Sequence, residues 1–283
     1  MKILIDADYI VYKACAAAET EIDWGDDVIV VSSRFSDAYR LVQHEITKIK
    51  NAFFTADDCI LFFSSSSNFR KFILPEYKGH RNRKKPCGYR RVIAALEKEY
   101  EVIRMDGLEA DDALGIYATL HEGNCIVSPD KDMRQIPGQL YNLDSFTLIS
   151  PEQGEAWHLI QTIAGDQTDG YAGVPGYGVK RATSLLDEQG YTWDTVVSAF
   201  EEKGLTEADA LVNARLARIL TTEYYDFNKG KPILWTATAS PRVNTGAGSK
   251  AETSDGPVRK SRRKTRGPKD TVPGSPASEL LFD

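Results

Sequence analysis

Apolar residues recur along this chain in two rhythms. Short unbroken runs occupy residues 2–5, 58–63, 102–104, 124–128 and 140–142, and each predicts a strand buried on both faces, as in a parallel sheet. Between them the spacing lengthens to that of a helix. Phe35, Ala38, Tyr39, Val42, Ile46, Ile49 and Phe53 share one face, and so do Ala110, Ala113, Leu114 and Tyr117. The alternation through residues 1–150 predicts an α/β fold, a mostly parallel central sheet flanked by helices. From Pro151 the pattern turns helical, broken by one Gly-rich turn, Gly173-Val174-Pro175-Gly176-Tyr177-Gly178, and residues 151–236 read as a smaller helical subdomain. Residues 237–283 are rich in Ser, Thr, Gly and Pro, with seven Lys or Arg in the eleven residues 259–269, and read as a disordered basic tail. Its apolar end, Glu279-Leu280-Leu281-Phe282-Asp283, reads as a frayed terminus or as a short docking peptide.

Acidic residues cluster where the apolar runs stop. The clusters are Asp6-Ala7-Asp8, Glu109-Ala110-Asp111-Asp112, Asp130-Lys131-Asp132 and Asp166-Gln167-Thr168-Asp169. Each has a local explanation: acids oppose the dipole at a helix start, and Asp caps helices and turns. In open sheets of this type, however, the strand ends share one edge. Carboxylates gathered there repel one another unless cations lie between them, and Mg²⁺ or Mn²⁺ suits an all-oxygen donor set.

A basic segment complements the acids. Between Arg70 and Arg91 nine Lys or Arg residues, among them Lys71, Lys78, Arg81, Arg83, Lys84 and Lys85, stand against the single Glu76, with Phe72, Tyr77 and Tyr89 interleaved. Such a run can be a solvated face. Following a strand that ends at the acidic edge, it can also clamp a phosphodiester backbone. The turn containing Gly173, Gly176 and Gly178 runs on to Lys180 and Arg181 at a helix start, where backbone amides can approach phosphate oxygens. It resembles a helix-hairpin-helix grip on DNA.

Bulk properties narrow the class. At 283 residues and 42% apolar content the chain can bury a full core, and its net charge of -6 hides the uneven distribution described above. The four cysteines and four histidines lack zinc-site spacing, so a reducing, cytoplasmic setting is expected. Asp6 and Asp8 interrupt the one segment resembling a secretory signal, and no run is long enough to span a membrane. A monomer is expected.

Five segments together resemble the flap endonuclease and 5′-nuclease family, including the compact 5′→3′ exonucleases of short-tailed bacteriophages. They are Leu4-Ile5-Asp6-Ala7-Asp8, Leu74-Pro75-Glu76-Tyr77-Lys78-Gly79-His80-Arg81, residues 108–112, residues 128–132, and Ile163-Ala164-Gly165-Asp166-Gln167-Thr168-Asp169-Gly170 running on to Gly178. The resemblance implies a PIN-like core with a basic arch near residues 70–91, and a helix-three-turn-helix element that grips duplex DNA. It implies a two-metal hydrolysis of DNA phosphodiesters from 5′ ends, on duplex or flap and with an RNA·DNA hybrid as a further candidate, leaving 5′-phosphates. It places Asp6, Glu109, Asp111 and Asp112 at a first metal, and Asp130, Asp132, Asp166 and Asp169 at a second, with Asp111 bridging. It gives Lys78 and Arg81 contact with the scissile phosphate. DNA contact extends to Arg70, Lys71, Tyr77, Arg83, Lys84, Lys85, Gly173, Gly176, Gly178, Lys180 and Arg181, with K⁺ a candidate at the Gly-rich turn and a replication-protein partner a candidate for the C-terminal tail.

One position departs from the family. Ser65, within Ser64-Ser65-Ser66-Ser67, stands where the family has an Asp supporting the first metal, which lowers the expected affinity there. Two alternatives follow. A nuclease-like DNA-binding protein with weakened chemistry fits Ser65. A haloacid-dehalogenase-like phosphatase fits Asp6-x-Asp8, Ser64 and Asp130 to Asp132, but leaves Asp166, Asp169 and the basic segment without a role.

Overall fold

The structure, a computed structural model, describes residues 1–54, 58–81 and 84–237. Strand β1 (Lys2–Asp6) leads into helix α1 (Ala7–Ala17), followed by a hairpin of β2 (Glu19–Asp23) and β3 (Ile29–Ser33), and helix α2 (Phe35–Asn51). Next come β4 (Asp58–Phe62), the four-residue α3 (Arg70–Ile73), α4 (Tyr89–Leu96), β5 (Glu101–Ile103), α5 (Ala110–Leu120) and β6 (Asn124–Val127). A 3₁₀ turn at Lys131–Gln135 precedes β7 (Gly138–Tyr141) and β8 (Phe146–Ile149).

The six-stranded sheet has the order β5-β4-β1-β6-β7-β8. All pairings are parallel except β7 with β8. The expected mostly parallel sheet between helices is therefore the architecture. β1 lies at its centre, pairing Ile5 with Leu61 of β4 on one side and with Val127 of β6 on the other. Successive strand residues point to opposite faces, so Ile3 and Ile5 pack with α1, α2 and α4 while Leu4 packs with α5. All three are fully buried, which is why these strands read as unbroken apolar runs.

Three features were not anticipated. The edge strand β8 runs antiparallel, and the last expected strand lies at Gly138–Tyr141 rather than 140–142. The β2–β3 hairpin also lacked a signal. Its apolar residues Ile22, Trp24, Val28 and Val30 are exposed, so no burial pattern marked it.

The helical part comprises α6 (Pro151–Ala164), a short hairpin of β9 (Gly165–Asp166) and β10 (Tyr171–Ala172), then α7 (Val179–Gln189), α8 (Trp193–Glu201) and α9 (Glu207–Ala217). Ser150 and Gln153 cap α6 reciprocally, with Pro151 at its first position. Gly165 adopts φ 66° and its Cα faces the backbone at Gly173, where a Cβ on either glycine would meet main-chain atoms. Only glycines allow that crossing.

Core and helical part are joined by buried polar bonds to residues 216–220. Arg70 Nε donates to Leu216 O at 2.8 Å and its Nη2 to Arg218 O at 2.6 Å. Leu220 N donates to Asp112 Oδ1 at 3.1 Å, Ile219 N to Gln135 Oε1 at 3.0 Å, and Gln135 Nε2 to Ala217 O at 2.6 Å. The expected boundary near residue 150 falls inside one compact unit, Met1–Val243. The expected tail lies outside the described residues apart from Ala237. Among the described residues no helix is long and apolar enough to cross a membrane.

Candidate active site

Because β1, β4 and β6 run parallel, their carboxyl ends open on one edge of the sheet. A cleft of about 720 Å³ lies there. Asp6 ends β1, Ser64 to Ser66 follow β4, Asp130 and Asp132 follow β6, and Glu109 and Asp111 stand at the start of α5, all lining the cleft with Asp169. Acids that are far apart in sequence thus meet in one place.

Their surroundings divide them into two electrical groups. Asp6 accepts hydrogen bonds from Tyr9 N and from Ser128 Oγ at 3.0 Å. Burial, followed by the charge of Asp8, nonetheless pushes its carboxyl up to about 7. Asp132 accepts from Gln161 Nε2 at 2.6 Å and is likewise pushed to about 7, by burial and then by Asp130. Burial and the charges of Asp6, Asp130 and Glu109 hold Asp111 well above the ordinary carboxylate range. Glu109 is the opposite case. Burial would raise it, yet Lys78 and Arg70 bring it down to about 2.

Lys78 Nζ lies 2.5 Å from Glu109 Oε1 and 3.5 Å from Asp169 Oδ2. Burial alone would lower the pKa of its ammonium, but these two carboxylates raise it. Lys78 adopts φ 54°, and its amide donates to Asp169 O at 2.7 Å. A non-glycine residue in that region is strained, and here the surrounding contacts hold the ammonium over the acids. Arg81 reaches Asp169 Oδ1 through Nη2 at 2.6 Å and Thr168 O through Nε at 2.9 Å, with its side chain 47% exposed. Both cations of the expected phosphate contact therefore line the cleft.

A family model described as 5′-3′ exonuclease, N-terminal resolvase-like domain, matches residues 1–153. The chain belongs to that 5′-3′ exonuclease family. It is 29% identical over 278 residues to an exodeoxyribonuclease of Enterobacteria phage T3, with 83% of this chain and 92% of the relative covered. It is 28% identical over 277 residues to an exonuclease of Escherichia phage T7, with 82% and 92% covered. Among solved structures, the phage T5 D15 protein co-crystallized with metal ions superposes with a TM-score of 0.57 at 15% identity, covering 79% of this chain and 90% of that one. A T5 5′-exonuclease with divalent zinc ions bound gives 0.57 at 16%, covering 79% and 91%. These likenesses place the fold with the resolvase-like, PIN-type nucleases.

Membership in the exonuclease family overturns the phosphatase alternative. Locally, both oxygens of Asp8 are engaged, one by Tyr89 Oη at 2.7 Å and the other by Ser64 N at 2.8 Å. Asp8 braces the cleft wall.

Three residue expectations need correction. Asp112 is fully buried and forms a bidentate pair with Arg70 at 2.7 and 2.8 Å, while also accepting from Leu220 N and Glu109 N. Its lone pairs are committed to the fold, so it is no metal ligand of this exonuclease. Arg70 is 1% exposed and, by the same contacts, cannot lie on DNA. Tyr77 is 2% exposed, and its hydroxyl meets Glu109 Oε2 at 3.0 Å and Asp169 Oδ2 at 2.8 Å. It orients two acids from different elements and offers no surface to a duplex.

The remaining expectations scatter. Asp166 is buried outside the cleft lining, held by the Thr168 hydroxyl and by Lys131 at 3.3 Å, which keep its carboxyl below the usual range although burial opposes them. Lys71 and Lys84 are exposed. Lys85 lines the cleft over the Tyr89 ring at 4.6 Å. Arg83 lies outside the described residues. Gly176, Gly178, Lys180 and Arg181 are exposed around the start of α7, away from the cleft lining, while Gly173 packs against the end of α6. Sequence reasoning missed Ser128 and Gln161, which hold Asp6 and Asp132. Ser128 sits inside a motif that was singled out for its acids, whereas nothing local to Gln161 connects it with the cleft.

The donor set fits a hard divalent cation. All candidate ligands are carboxylate oxygens, and burial together with repulsion, of Asp111 by Asp6 and Asp130 and of Asp132 by Asp130, disfavours their charged forms, which a cation would relieve. Among the described residues no three His, Cys, Asp or Glu side chains are grouped tightly enough to hold an ion as they stand.

Proposed function

We propose that this exonuclease-family chain hydrolyses phosphodiester bonds at the 5′ ends of DNA strands, on duplex ends and flaps, with divalent cations held by the cleft acids. The convergence of Asp6, Glu109, Asp111, Asp130, Asp132 and Asp169 beneath Lys78 and Arg81 carries this reading. Asp6, Glu109 and Asp111 would hold one cation and Asp130, Asp132 and Asp169 a second, with Asp166 acting through Asp169 or water. Mg²⁺ or Mn²⁺ would supply Lewis acidity and a water of lowered pKa. The similarity to an exodeoxyribonuclease of phage T3 and an exonuclease of phage T7, and to a T5 D15 flap endonuclease complexed with DNA and metal ions, supports the same substrate class.

The chain's own groups have separate tasks. Lys78, raised and kept charged, offsets negative charge accumulating on the reacting phosphoryl group. Arg81 orients that group through its forked donors. The exposed start of α7, with Gly178, Lys180 and Arg181, presents amides and cations to the duplex backbone away from the cut. The products carry 5′-phosphates.

A time course on 5′-labelled blunt, nicked and flapped duplexes, with Mg²⁺ and Mn²⁺ titrations, tests this. Metal-dependent release of 5′ fragments by wild type, lost in Asp130→Ala with DNA binding retained, is the expected result. Binding without cleavage at every metal concentration would favour a DNA-binding role, and cleavage gained by Ser65→Asp would locate the defect at that serine.

A further inference from the structure

Four serines follow β4, and the hydrolytic reading assigns them no task. Ser64 is committed locally, its amide to Asp8 Oδ2 at 2.8 Å and its hydroxyl to Ala110 N at 3.0 Å. Ser65 is tied by its amide to Leu108 O at 2.9 Å. Ser66 differs. It is exposed and lines the cleft, and neither its amide nor its hydroxyl has a hydrogen-bond partner among the described residues.

Arginine stands on the same wall. Phe63 N bonds Ile103 O at 3.1 Å, and the Arg104 guanidinium lies 5.7 Å from the Phe63 ring centroid, so strand pairing carries Arg104 to the serine run. Its one ion pair, with Glu97 at 3.3 Å, has both side chains 40% exposed, and solvent screens such pairs strongly. Arg90 of α4 also lines the cleft, is exposed, and has no ion pair among the described residues. Asp8 and Asp106 are the acids on this side, Asp8 with both oxygens already hydrogen-bonded, against three cations, Lys85, Arg90 and Arg104. The cleft is therefore electrically divided, with clustered carboxylates on one side and hydroxyls, a free amide and guanidinium groups on the other.

We propose that the Ser66, Arg90 and Arg104 wall binds a second phosphate of the same strand, the neighbour of the scissile phosphate on its 5′ side. At a strand end that group is the 5′-terminal phosphomonoester. A strand with one phosphate at Lys78 and Arg81 must lodge the adjacent one in the same cleft. Like charge closes the acidic side to it, while hydroxyl, amide and forked guanidinium donors match it. Ser65 suits the same end, because a neutral hydroxyl does not repel the incoming anion. The inference rests on the hydrolytic reading and adds a preferred substrate, DNA bearing a 5′-phosphate.

The test is steady-state kinetics of the full chain on otherwise identical duplexes ending in 5′-phosphate or 5′-hydroxyl. Wild type should show a KM about tenfold lower for the phosphorylated end, the low end of the scale of one charge-assisted contact. Arg104→Ala, at an exposed position, should bring the ratio close to unity. Ser66→Asp, which places a like charge on the wall, should make the phosphorylated end the poorer substrate. Equal KM values in wild type, or a preference that neither variant changes, overturn the inference while leaving the hydrolytic reading standing. Failure of wild type to cut either end with any divalent metal sinks the hydrolytic reading and this inference with it.

Discussion

The Tyr77 hydroxyl stands between two carboxylates, 3.0 Å from Glu109 and 2.8 Å from Asp169, and has one proton to give. Burial, reinforced by those charges, holds its phenol far above the ordinary range, so the group stays neutral and donates. Since Glu109 starts α5 and Asp169 follows β9, a single side chain sets the spacing between acids from two elements. Tyr77→Phe keeps the ring and loses only this bridge. The expected outcome is a cleavage rate reduced about 10-fold, the lower range for groups that orient metal ligands, with DNA affinity in EDTA unchanged. A loss of affinity equal to the loss of rate would return Tyr77 to the DNA-binding set.

The Arg70–Asp112 pair is buried completely and also carries the bonds to residues 216–220. Asp112→Ala strands the guanidinium in the interior. Unfolding by urea should show a loss of about 3–5 kcal/mol. Arg70→Met combined with Asp112→Leu should recover part of it, because no uncompensated charge remains. A loss below about 1 kcal/mol in the single variant would show that water reaches the pair.

In EDTA, stability should depend on pH in both directions. Asp6 and Asp132 have folded-state pKa values raised to about 7, so the stability they confer is present below their unfolded value near 4 and is lost as pH rises through 7. Glu109, lowered to about 2, stabilises above its unfolded value and loses that contribution as pH falls toward 2. The metal-free melting temperature should therefore peak on the acid side of neutrality and fall between pH 5 and pH 8. Saturating Mg²⁺ should raise Tm most at pH 8, where the acids are ionised and bind it. Thermal melts across that range are decisive, and a metal-free Tm that climbs toward pH 8 would contradict the repulsion described for the cleft.

Trp235 is 1% exposed against His158 and Trp193, at centroid separations of 5.3 and 4.9 Å, and its carbonyl accepts from Arg215 Nε. Truncation after Ala237 should leave the melting temperature of the protein intact. Trp235→Ala should cost about 3–5 kcal/mol, as for other buried aromatics. The same truncation should reduce the steepness with which DNA affinity falls as salt rises, since the removed segment carries the basic run at 259–269.

The sheet and the cleft acids were legible because their signals are local. A central parallel strand must be apolar throughout, as Ile3, Leu4 and Ile5 are, and a carboxylate just beyond such a strand marks the edge where it ends. Asp112 and Arg70 were misread for the same reason that the others were found. Within a helix-start cluster or a basic run nothing in the local sequence separates the member that faces the cleft from the one that faces the interior. Their partners, Leu220 N and Leu216 O, lie 108 and 146 positions away and are backbone atoms, which no residue pattern encodes. Gln161 was invisible likewise, being a polar residue on a helix whose relation to Asp132 exists only after the two halves pack.

The bonds from Arg70, Asp112 and Gln135 to residues 216–220 all end on main-chain atoms. Those polar bonds place no demand on the side chains of the strap, which are fixed separately: Leu216, Ala217, Ile219 and Leu220 are buried in the core, and Arg218 pairs with Glu155 at 2.7 Å. A chimera that grafts another nuclease's helical half onto this core would need apolar residues of like size at the strap. It would need a backbone that arrives in the same place, with its carbonyls and amides turned the same way.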